Sequence, residues 1–165
     1  MYDAFISYRR DNGFYIARLV RDQLEKREIS AFLDLEELRS GEFNKKLYEA
    51  IGNSRNFILI LSPGALDRCV YEDDWVRKEI LAAVELKRNI IPVLGENFEW
   101  PRALYSKFPE EICALEHFSG VNTSKDYFWF GFGLLKCTKP KSRGHFGYDV
   151  FSLCENTSWF ACKRN

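Results

Sequence analysis

Glu79 closes the run WVRKE that begins at Trp75, and the four-residue spacing stacks these two side chains on one helical stripe. Ile80, its neighbour, belongs to the apolar face, so the carboxylate falls at the edge of a core. There it can meet a cation without full burial. Arg9 and Arg10 directly follow the first apolar run. Their forked donors could bind a pyrophosphate, or they could be two solvated surface arginines. Asp34 also ends an apolar run and could hold a ribose hydroxyl or cap the next loop. Trp75 and Trp100 could stack on a ligand ring or pack in the core. Core packing is at least as good a reading for Trp75. Trp100, beside Pro101 in a loop, is the better candidate for a ligand or a neighbouring molecule. A helical glutamate taken alone usually faces solvent, so the reading of Glu79 depends on what surrounds it.

The elements that must position these groups alternate between short apolar runs and amphipathic stretches. Residues 2–8 read as a strand, 14–28 as a helix and 30–34 as a second strand. A helix over 43–53 carries Phe43, Leu47, Ala50 and Ile51 on one stripe. The near-continuous apolar run 56–62 marks a central strand covered on both faces, and Pro63 and Gly64 break it. Asp73 and Asp74 suit a helix start, and the helix they open carries Val76, Ile80, Ala83, Val84 and Lys87 on one side. Residues 89–94 form a fourth strand, with Pro92 expected at a sheet edge or the strand's end. A weak fifth strand is expected near 114–118. This order predicts a flavodoxin-like, doubly wound, five-stranded parallel sheet. Such sheets take ligands at the carboxyl ends of their strands, where strand order reverses.

The periodic pattern stops near residue 124. The segment 125–165 is expected to be irregular, because glycines and aromatics populate every face of it, although 128–135 could dock on the sheet. With 24 basic and 24 acidic residues the net charge is zero. That removes the electrostatic case for nonspecific nucleic-acid or membrane-surface binding. No run approaches the roughly 20 apolar residues of a membrane helix. The chain opens directly on strand-like residues, and its five scattered cysteines include no closely spaced pair. Reduced thiols, a cytoplasmic location and no metal are therefore expected.

Four motifs in order, DAFISYRR (3–10), FLD (32–34) with Gly41, NFILILSPGA (56–65) and WVRKE (75–79), resemble those of a TIR domain. FEWP (98–101) extends the similarity. It is greatest to the NAD-cleaving TIR group that accompanies sterile-alpha and armadillo motifs, and it makes residues 1–124 the domain. The resemblance implies cleavage of the nicotinamide–ribose bond of NAD+, releasing nicotinamide and ADP-ribose or cyclic ADP-ribose, in innate-immune or cell-death signalling. It assigns Glu79 as the catalytic carboxylate and implies substrate contacts from Tyr8, Arg9, Arg10, Asp34, Phe43, Trp75 and Trp100. Residues 35–41, with Leu38, Arg39 and Gly41, correspond to the family's assembly loop. Head-to-tail TIR–TIR self-association through it brings a neighbour's loops over the nucleotide. NAD+ is then the substrate, with no separate cofactor. Ser40 stands where signalling-receptor TIR domains often have proline, and Arg39 where the most similar relatives tend to be acidic.

The chemistry agrees with one carboxylate. Ordinary glycosidases need a second acid to protonate a poor leaving group. The nicotinamide of NAD+ is a pyridinium that departs neutral, so a single glutamate can serve by stabilising or trapping the oxocarbenium ion. A noncatalytic TIR interaction module is the alternative. A phosphoacceptor response regulator would need an aspartate where Ser62 and Pro63 stand. A dinucleotide oxidoreductase would need a GxGxxG turn where YRRDNG (8–13) stands. A nucleoside deoxyribosyltransferase, with similar chemistry on a related fold, is a minor alternative.

Overall fold

The computed structural model describes residues 2–33 and 43–123, with the side chains of 43–45 left aside. The elements are β1 (Tyr2–Tyr8), α1 (Arg10–Glu25), β2 (Ala31–Leu33), α2 (Phe43–Gly52), β3 (Ser54–Leu61), α3 (Trp75–Glu85), β4 (Asn89–Leu94), α4 (Glu110–Cys113) and β5 (Val121–Asn122). Short 3-10 turns cover Asp67–Val70, Arg102–Lys107 and Ala114–His117. The five strands form one sheet in the order β2-β1-β3-β4-β5, and every pair is parallel. The sequence expectation of a doubly wound flavodoxin-like sheet is therefore met.

Alternation along the inner strands divides the core into two layers. Phe5, Phe57, Leu59 and Leu61 face α2, α3 and α4, while Ala4, Ile6, Ile58 and Ile60 face α1. Register adds a ladder: Phe5 pairs with Phe32 on one side and Phe57 on the other. Their rings stack at 5.5 and 5.6 Å between centroids, an offset geometry that adds to area burial.

Several boundaries differ from the sequence reading. Helix α1 starts at Arg10, because Gly13 does not break it but lets it lie close on β1. A Cβ at Gly13 would sit 3.2 Å from the Tyr8 Cβ. The helix stops at Glu25 because Glu28 turns left-handed at φ 60°. The Ile29 N–H then reaches back to the Leu24 carbonyl, closing the helix end without a glycine. The fifth strand is Val121–Asn122, not 114–118. Ile112 and Leu115, three residues apart and both buried, follow a helical period and put that stretch into a turn. Pro92 lies inside β4, but β5 pairs only with Val93 and Leu94, so the ladder beside Pro92 is open on that side. The tail from 125 onward lies outside the described residues.

After β3 the chain turns at Ser62–Ala65. The Ala65 N–H bonds to the Ser62 carbonyl at 2.9 Å, and Gly64 has φ +73°. With Pro63 before it, this is a type II turn, whose third residue must be left-handed. Gly64→Ala is expected to cost about 1–2 kcal/mol, read as a lower urea midpoint at unchanged m-value.

Candidate functional site

The switch in strand order lies between β1 and β3, so the crevice opens at their carboxyl ends. Helix α3 connects β3 to β4, packs between α2 and α4, and carries the candidate carboxylate. Asp74 starts the helix as its N-cap, accepting the Arg77 N–H at 3.0 Å. Val76, Ile80 and Ala83 then bury one face against Phe57 and Leu59. That packing carries Glu79 inward, where it is only 5% exposed.

Two polar contacts stitch β1 to this helix. The Ser7 hydroxyl donates to Glu79 Oε2 at 2.5 Å, with both groups buried. Two residues further on, Arg9 turns inward and grips Asp74. Its Nη1 donates to Oδ2 at 2.5 Å and its Nη2 to Oδ1 at 3.0 Å. The Ala65 carbonyl accepts from Nε at 3.0 Å and from Nη2 at 2.9 Å, so the same guanidinium holds the turn that follows β3. Arg77 reinforces the approach by donating to the Cys69 and Val70 carbonyls.

The electrostatics follow from this network. Burial by itself would raise the Asp74 carboxyl; hydrogen bonds from Arg9 and the Arg77 N–H, with the Arg9 charge, outweigh it and hold the group below the usual carboxylate range. Burial opposes charge on Arg9 too, but Asp74 more than compensates and raises it. Burial, followed by the Asp74 charge, pushes the Cys69 thiol far up, which leaves it an unreactive thiol.

The expected site residues do not all converge. The fork of Arg9 is engaged by Asp74 and Ala65, so it anchors the site's frame. Arg10, the first residue of α1, is exposed on the rim. Strand alternation turns the ring of Tyr8 to the α1 side, away from Ser7 and Glu79. There it lies 6.3 Å from the Phe14 ring.

The two tryptophans differ in setting. Trp75 is 45% exposed rather than core, and Lys78 Nζ lies 4.5 Å from its ring centroid. Trp100 is half-buried against the core, edge-on to Phe98 at 5.1 Å. Asp34, Leu38, Arg39 and Gly41 lie outside the described residues, and of Phe43 only the backbone, opening α2, is described. Ser7 is the residue that sequence reasoning missed. Its signal was a polar side chain on the same inward strand face as Phe5.

Among the described residues no cluster of histidine, cysteine or acidic side chains could hold a metal ion. None of the helices there is long and apolar enough to cross a membrane. The arrangement is a desolvated, hydroxyl-held carboxylate one helical turn from an exposed indole, suited to stabilising a cation that forms on a bound ligand.

Comparison with known proteins places this geometry. The family model described as TIR domain matches residues 4–123. NAD(+) hydrolase sarm1 of Drosophila melanogaster is 41% identical over 128 residues, 76% of this chain and 9% of that protein. NAD(+) hydrolase SARM1 of Danio rerio is 42% identical over 128 residues, 76% of this chain and 18% of that protein. The chain therefore spans only 9–18% of the length of these relatives. Among solved structures, a metazoan TIR-STING receptor from C. gigas in complex with 2',3'-cGAMP has a TM-score of 0.58 and 25% identity. That match covers 82% of this chain and 39% of that one. The parallel sheet order, the motifs along its strand ends and the match over nearly all described residues agree: the chain belongs to the TIR domain family.

Proposed function

We propose that this TIR domain is an NAD+ nucleosidase that breaks the nicotinamide–ribose bond, with Glu79 as its catalytic carboxylate. The observation that carries the proposal is the buried Glu79 carboxylate on α3, held by Ser7 at the carboxyl end of β1. The relatives named NAD(+) hydrolase, 41% and 42% identical, support it. Nicotinamide leaves neutral, and the positive charge it gives up develops on the ribose. A fixed carboxylate stabilises or traps that charge, giving ADP-ribose or its cyclic form. Trp75, one helical turn before Glu79, offers an exposed face for a ring to stack on. Arg10 supplies a cation at the rim for the pyrophosphate, and Asp34 and Phe43 are further contacts by resemblance. Self-association through the loop of Leu38, Arg39 and Gly41 completes the site. No further cofactor is needed, and the setting is cytoplasmic signalling in innate immunity or cell death.

A second reading, a TIR interaction module without catalysis, draws on the 25% identity to the TIR-STING receptor. The two separate on nicotinamide release from NAD+ at high protein concentration, since a composite site is silent in a dilute monomer. Release by the parent and not by Glu79→Gln supports the nucleosidase. No release from folded, assembled protein favours the interaction module.

A further inference from the structure

The Ser7 hydroxyl has no packing purpose in its strand. It replaces what would be an apolar position on the face occupied by Phe5, and it is 1% exposed. A buried hydroxyl there is unfavourable unless bonded. Its bond goes to a carboxylate oxygen 72 residues away in sequence, at the short separation typical of a hydroxyl donating to an anion. The two partners are fixed independently. Ser7 is held by its strand register opposite Leu59. The start of α3 is held by the Arg9–Asp74 clasp, a little over one helical turn before Glu79. With both backbones set, the Ser7–Glu79 bond acts on the side-chain torsions that aim the carboxylate.

We propose that Ser7 is a positioning residue that orients the Glu79 carboxylate and keeps it ionised for the reacting ribose. This rests on the nucleosidase reading above. A hydroxyl can donate to a carboxylate only while that oxygen accepts, so the bond favours the charged form. Losing it should impair the chemical step more than substrate binding.

The test sets Ser7→Ala beside Ser54→Ala. Ser54 is an equally buried serine at the other end of the sheet, bonded to the Ala50 carbonyl. The rate of nicotinamide release is followed against NAD+ concentration and pH. Ser7→Ala is expected to lose about tenfold to a hundredfold in kcat, with KM within about twofold. The acid limb of its kcat profile should move to higher pH, and Ser7→Thr, which keeps the hydroxyl, should restore the limb. Ser54→Ala should leave both profile and kcat near the parent. Equal effects of the two alanines, or a lower kcat with an unmoved acid limb, would overturn the inference. A carbon-13 NMR titration of the Glu79 carboxyl in parent and Ser7→Ala gives a reading independent of turnover. An unmoved midpoint there sinks the role of Ser7, whereas a parent that releases no nicotinamide sinks the nucleosidase reading.

Discussion

Asp74→Ala is expected to cost the domain about 3–5 kcal/mol, since it leaves the Arg9 guanidinium buried without its anion. The same change removes the α3 cap, itself worth about 1 kcal/mol and part of that total. Both groups are almost fully enclosed, with side-chain exposures of 9% for Arg9 and 3% for Asp74. Water therefore cannot replace the lost partner as it does at an exposed pair. The pH dependence has a definite sign. Asp74 is held below its ordinary value, so the pair's contribution is complete above the unfolded pKa of about 3.9 and disappears as pH falls through the folded value. Urea unfolding at a series of pH values should show a gap between parent and variant that is level above about pH 4 and narrows below it. A gap under about 1 kcal/mol at neutral pH would mean that the clasp contributes little. A gap that stayed level into acid would assign the loss to packing and capping.

Glu79→Gln is expected to lower nicotinamide release by at least about a hundredfold to a thousandfold, the scale seen when one group facing a developing charge is removed. The amide keeps an oxygen to accept the Ser7 hydroxyl and nearly the same volume. It also removes a carboxylate that is costly to bury. Stability should therefore stay within about 1 kcal/mol of the parent. Activity and thermal unfolding measured on one preparation check both halves together. Activity retained in the variant would remove Glu79 from the chemistry. An activity loss matched by collapse of the fold would reduce it to a structural acid.

The fold was legible because its signals are local. The run 56–62 is apolar at nearly every position because both faces of β3 are covered, and Asp74 is a cap by residue type and place. The site was legible in part. Glu79 falls where its motif put it, but it is more buried than an acid at the edge of the core. The partners of Arg9 were not legible, because they are 56 and 65 residues away and no periodicity reports a contact across that separation. The half-buried setting of Trp100 was not legible either, since it comes from packing on the core and on Phe98. The turn at 114–117 shows the limit of pattern reading. Two buried residues three apart sufficed to make it helical, and β5 is too short to alternate.

The stitching of α3 to β1 decides how this site can move. Ser7 pairs with Leu59 of β3 near the end of β1 and Arg9 follows that strand directly, so the acid belongs to the cooperative unit of the central sheet. It cannot swing out to meet a ligand without loosening that unit. Any adjustment on binding therefore falls to groups outside that unit. The domain thus offers any ligand a stationary anvil.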